Sequence, residues 1–229
     1  IPTKEPAFGL DAFWIEPSER EYAQASGYTC VDPGTVIATH LNSVLADNAE
    51  ELMNFDVAQE LVDRIQRHSP KLTEDLIPDK ISLGALVQVL QNLLSERVTL
   101  KDMRTILETI SKESGSTQDP NKLTTAVRPK LARLIVQNLV DENNNLSVLT
   151  LDPGLEQLFN DLVSRSQNEN EIALEPNLAD RLFRSTKEAM AEAERNDKPS
   201  VLVVFPIIRF WISKLLRRVT RDLTVMSYA

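Results

Sequence analysis

The thiol and imidazole side chains in this 229-residue sequence are few and scattered: Cys30, His40 and His68. Neither histidine has a second metal-binding residue at helical spacing. H-E-x-x-H, C-x-x-C, G-x-x-x-x-G-K-[ST] and G-x-G-x-x-G are all missing. Six glycines leave little material for a loop that cradles phosphate. Cys30 reads as a small packed residue and excludes an internal disulfide framework, which fits a reducing compartment. The acidic pairs Glu50–Glu51 and Glu74–Asp75 read as solvated faces. No catalytic residue, metal ligand or cofactor site is expected, so the residues point to a protein that is not an enzyme.

Charge is the next source of chemistry. The formal net charge of -9 opposes general nucleic-acid binding, which needs cations to neutralise phosphates. Within this acidic chain Arg209, Lys214, Arg217, Arg218 and Arg221 form a basic cluster. The plain reading is a set of helix C-terminal charges that complement the dipole. The functional reading is a docking patch for an acidic partner. A helical pair at 83–110 has the outline of a nucleic-acid-reading helix–turn–helix regulator. However, Lys101, Arg104 and Lys112 are nearly balanced by Asp102 and Glu108, which argues against it.

These groups have to be positioned by mostly helical elements. Leu83, Leu86, Val87, Leu90, Leu93 and Leu94 repeat as one buried helix face, and Leu100, Met103, Ile106, Leu107 and Ile110 as another, with the polar break Ser95–Glu96–Arg97 between them. Asp102 is placed in the first turn of the second helix. Asp56 is expected to cap a helix to His68, Pro70 and Pro78 flank a short one, and Leu123–Val140 reads as a long helix in which Pro129 marks a kink or a new start. Before these, Ala12–Ile15 and Tyr28–Val31 read as strands. The first 10 residues read as extended or turn-like, a helix over 18–26 stops at Gly27, and Asp32–Pro33 caps another helix. After the polar turn 141–145 the order is strand (146–151), helix, helix, strand (201–205), helix, strand (223–228).

The fold class expected is α+β with several subdomains. A small α/β remnant covers 1–52, an all-helical subdomain 53–140 and an α/β subdomain 141–229. The incomplete α/β pattern at the start, and a first residue other than Met, suggest a piece of a longer protein. No run of about 18 apolar residues marks a membrane span.

Several segments resemble a known family. Glu5–Glu16, EPAFGLDAFWIE, is similar to the DPAFGLDAxWIE segment of the large export-gate protein family of bacterial flagellar type III secretion. Val36–Leu41 resembles its VVATHL helix, Lys71–Pro78 its KLxEDLVP, and Asn177–Leu182 part of its PxLADRL. Val89–Glu108, VLQNLLSERVTLKDMRTILE, resembles its most recognisable block. Injectisome gate proteins of virulence systems share the central block, whereas the AFGLDAFWIE and ATHL segments lean flagellar.

The resemblance implies a membrane-embedded half outside this sequence and a cytosolic half on the cytoplasmic side of the bacterial inner membrane. Nine such halves form a homo-oligomeric ring that docks export chaperones with their cargo and works beside the export ATPase complex. It further implies that Glu5, Phe8 and Thr39 belong to a hydrophobic dimple that receives chaperones, with Glu5 standing where the family usually has aspartate. Arg104 and Glu108 are candidates for contacts between ring neighbours.

Overall fold

The structure, a computed structural model, describes residues 1–7, 9–166, 172, 174–220 and 222–228. The chain divides into two units, Ile1–Leu52 and Met53–Ala229.

In the first unit, β1 (Pro2–Lys4) and β2 (Asp11–Phe13) form an antiparallel hairpin, with Thr3 opposite Ala12 and Lys4 opposite Asp11. The Lys4 Nζ to Asp11 Oδ1 ion pair, 3.0 Å, joins the facing ends. The opening residues are thus a strand, because Ala12 and its neighbours supply an edge to pair with. A 3-10 turn at Pro17–Glu19 leads into α1 (Arg20–Ala25). Gly27, at φ 88°, ends that helix in the left-handed region, where a glycine has no Cβ to clash. The strand expected at Tyr28–Val31 does not form. The Tyr28 N–H goes back to the Ala23 carbonyl, 3.1 Å, and Tyr28 and Val31 stay exposed, so no sheet takes up the segment. The next helix, α2 (Pro33–Asp47), begins as the Asp-Pro pair predicts: the Asp32 side chain accepts from the Thr35 N–H, and proline holds the first helical position. A short α3 (Ala49–Leu52) follows.

The second unit starts with helices. Asn54, rather than Asp56, caps α4 (Phe55–Gln66), its side chain accepting from the Val57 N–H at 3.0 Å. Asp56 lies inside the first turn, where its charge still suits the dipole. After α5 (Pro70–Glu74) come α6 (Leu83–Ser95) and α7 (Met103–Glu113), capped by Ser82 and Asp102. Asp102 is thus the cap itself and not a first-turn residue, accepting from the Thr105 N–H at 3.1 Å.

The polar break between α6 and α7 is a C-terminal stop. Arg97 takes φ 54°, and Val98 N–H reaches back to the Leu93 carbonyl at 2.9 Å. The long helix read at 123–140 is two: α8 (Pro120–Lys130) and α9 (Ala132–Val136). Pro129 brings no N–H to continue the ladder, and the helix closes one residue later. Both α6 and α7 pack on α8. The periodic residues Leu86, Leu90, Leu93, Ile106, Leu107 and Ile110 interdigitate with Leu123 and Val127 in one core.

The rest of the unit is β3 (Leu149–Thr150), α10 (Pro153–Arg165), α11 (Pro176–Arg195), β4 (Val201–Val204), α12 (Pro206–Leu216) and β5 (Thr224–Ser227). The strands form a parallel sheet in the order β3-β4-β5. The continuous apolar run Val201–Val204 is therefore the central strand, covered on both faces. Phe159, Val204, Ile208, Trp211 and Ile212 form a second core. Glu156 is buried within it and satisfied, its Oε1 accepting from the Phe205 N–H at 2.8 Å. The architecture is α+β with several packed parts.

The helical and α/β parts meet at a charged cluster. Glu96, at the end of α6, accepts a hydrogen bond from Arg209 of α12 and forms an ion pair with Arg128 of α8, each nitrogen 2.5 Å from the same oxygen, Oε2. Arg209 is thus no solvated charge at a helix C-terminus. It sits in the first turn of α12, on the face that also carries Ile208 and Ile212, and is buried. Among the other members of the basic cluster, Lys214 and Arg218 lie toward solvent, Arg217 is half-buried, and Arg221 lies outside the described residues.

Candidate partner-docking site

The residues singled out for docking lie in the first unit. Glu5 closes the hairpin. Its N–H donates to the Leu10 carbonyl and its own carbonyl accepts from Gly9, both at 2.8 Å. Gly9, at φ 69°, supplies the left-handed turn that this loop needs. The Glu5 carboxylate turns inward onto the loop, Oε1 accepting from the Ala7 N–H at 3.0 Å, so Glu5 is half-buried and shapes the turn as well as carrying charge. Phe8 lies outside the described residues.

Thr39 is carried by α2 on its half-buried stripe, with Val36 and Ser43 one turn to either side. The neighbouring stripe is apolar and open: Ile37 and Leu41 are 68% and 56% exposed, and Val44 and Leu45 follow at helical spacing. Leu10, Phe13, Trp14, Tyr22 and Tyr28 are exposed on other elements of the same unit. Aromatic and aliphatic side chains held at a surface suit a partner's apolar side chains.

The position of α2 depends on its cap. The Thr35 hydroxyl and N–H both bond the Asp32 carboxylate, at 2.6 and 3.0 Å, and hold its pKa below the ordinary carboxylate value. The charged form is thus the one the folded helix favours. Its contribution is in place above the unfolded value of 3.8 and is lost as the pH falls through the lower folded value. We expect the Thr35 amide resonance to shift in that acid window, and Asp32→Ala to remove the shift.

The ring-contact candidates are on the second unit. Arg104 Nε and Glu108 Oε1 are 2.7 Å apart, one turn apart on α7, with side chains 66% and 49% exposed. Glu108 raises the Arg104 pKa through this hydrogen bond. Such an exposed pair adds little to stability. It does present both charges outward, where a neighbouring chain can reach them.

Among the described residues no group of three or more His, Cys, Asp or Glu side chains could hold a metal. The His68 ring nitrogen Nδ1 lies 3.1 Å from the Arg64 carbonyl within its own helical turn, and His40 is exposed. Half-buried Cys30 rests its sulfur 3.9 Å from the Arg20 carbonyl. No described helix is long and apolar enough to cross a membrane. The Glu96 cluster went unrecognised in the sequence. Its one signal is register: Arg128 and Arg209 each fall on a helix face that also carries buried apolar residues.

The first unit carries apolar side chains at its surface, and the second is built on two cores. The chain belongs to the FHIPEP family, whose profile matches residues 1–229. It is 44% identical over 225 residues to the flagellar biosynthesis protein FlhA of Salmonella typhimurium, an alignment that covers 98% of this chain and 32% of that protein. The chain therefore spans about a third of the length of the curated relatives it matches.

Its fold is shared with a chain of the Chlamydia pneumoniae CdsV and CdsO complex (TM-score 0.78, 23% identity, 100% of this chain and 66% of that one). It is shared too with the nonameric EPEC SctV-C (TM-score 0.69, 21% identity, 92% and 67%).

Proposed function

We propose that this chain is a non-enzymatic docking platform of the flagellar type III export apparatus, working at the cytoplasmic side of the inner membrane. It binds chaperone–cargo complexes through the first unit and assembles with copies of itself into a ring. The observation that carries this reading is the 44% identity, along almost the whole chain, to a protein of flagellar biosynthesis. The apolar side chains exposed around β2 and α2 support it, because a reversible partner needs anchors that do not require unfolding. The ring is supported by the nonameric assembly of a protein with the same fold. A virulence injectisome role is the second reading. Its support is the fold shared with SctV-C, and the higher identity to flagellar relatives weighs against it.

In this account Phe8 is the anchor, and Glu5 and Thr39 are the other residues of the docking site. Phe8→Ala should abolish capture of flagellar chaperone–cargo complexes in a pull-down and leave the melting temperature nearly unchanged, with Thr39→Ala intermediate. Full capture by Phe8→Ala would overturn the site assignment.

A further inference from the structure

The cluster at Glu96 is unbalanced. Two guanidiniums close on one carboxylate, and the side chains of Arg128, Arg209 and Glu96 are only 7%, 5% and 11% exposed. An excess positive charge is left where water barely reaches. Arg128 Nη2 donates to a neutral partner, the Val225 carbonyl, at 3.1 Å. Arg128 Nη1, for all its closeness to Glu96, and Arg209 Nη2 have no hydrogen-bond partner. Burial lowers the Arg128 pKa to about 10 despite the attraction of Glu96, and repulsion by Arg209 adds to the effect. Buried charges in proteins are normally matched, because an unmatched one gives up its hydration without replacement.

Against this cluster lies a cavity of about 290 Å³, where one water's share of liquid volume is about 30 Å³. Glu96, Arg97, Arg128, Ser213, Arg217 and Thr220 contribute to its wall, as does Asp222. Asp222 is engaged by Arg97 at 2.6 Å, and Glu96 pairs with both Arg128 and Arg209. Among the described residues the ionised side chains of the wall are Arg97, Arg128 and Arg217 against Glu96 and Asp222, and Arg209 adds a further positive charge through Glu96. Guanidinium and hydroxyl donors around a void of this size suit an ion with several acceptor oxygens.

The geometry points to a binding site for a small oxyanion of the phosphate class, seated where the helical and α/β parts of the second unit meet and supplying the negative charge that Arg128 and Arg209 lack. The test is a titration of the full chain with inorganic phosphate at constant ionic strength, read by thermal unfolding and by the phosphorus NMR line. Phosphate also stabilises proteins generally by exclusion from their surface, an effect that does not saturate. The site predicts a saturable rise in melting temperature and saturable line broadening. Arg128→Met should lose both. Glu96→Gln, which removes the competing carboxylate, should bind phosphate at least about tenfold more tightly, the ratio that one charge-assisted hydrogen bond is worth. Should Arg128→Met fail to fold, Arg217→Gln on the cavity wall carries the same comparison, with weakened binding expected. A wild-type protein without saturable binding overturns the proposal, as does undiminished binding in the folded arginine variant.

Discussion

Glu96→Ala should lower the free energy of unfolding by about 3–5 kcal/mol, the usual consequence of removing one partner from a buried ion pair. The size of the effect lies in what remains. Arg128 and Arg209 would keep their buried positions with no carboxylate between them, and Arg128 already holds its proton less firmly than a solvated arginine. Set against a typical total of about 5–15 kcal/mol, such a loss is large. It should also act on the junction, since α6 and α8 belong to the helical core and α12 to the α/β core. Urea unfolding followed at both cores checks this. The triple change Glu96→Met, Arg128→Met, Arg209→Met should recover much of the stability, because an apolar filling needs no charge matching. A triple variant no better than Glu96→Ala would mean that the ions contribute through packing alone.

Phe159→Ala should cost about 3–5 kcal/mol. Phe159 is fully enclosed, and its ring meets Trp211 edge-on, with centroids 5.3 Å apart and planes at 68°. Truncation removes both the buried ring area and this pairing, which adds about 0.5–1.5 kcal/mol of its own. Trp211 reports the change directly: its fluorescence should shift to the red as the space beside it opens, and Trp14→Phe removes the only other tryptophan signal. Phe205→Ala is the control, since that ring is 39% exposed against Tyr228 and should cost much less.

The helices of the second unit were legible because burial and period coincide there. The stripe Leu86, Leu90, Leu93 and the stripe Ile106, Leu107, Ile110 are both core faces in the sequence and in the fold. Val201–Val204 was legible for the same reason, as a run too apolar to leave either face in water. The failures are local competitions. Tyr28–Val31 has strand-like residues, but a strand needs a partner edge, and the Tyr28 N–H is already used to end α1. Asp56 has the right side chain for a cap, and Asn54 takes the position two residues earlier. The stretch read as a strand at 146–151 pairs only through Leu149–Thr150. The Glu96 cluster was not legible, because its members are brought together across 113 residues of chain and no short-range pattern announces that. At the docking site the sequence pointed to Glu5 and Thr39 through family resemblance alone. The turn geometry adds a physical role for Glu5 that no spacing rule would have suggested.

The docking account is tested most directly by a binding titration of the chain against a flagellar chaperone–cargo complex, run beside an injectisome chaperone–cargo complex. The account predicts saturable binding of the flagellar complex, weaker or no binding of the injectisome one, and a requirement for Phe8 in whatever binding is seen. Absence of saturable binding to any flagellar chaperone–cargo complex, with the chain folded and the complex intact, would contradict it.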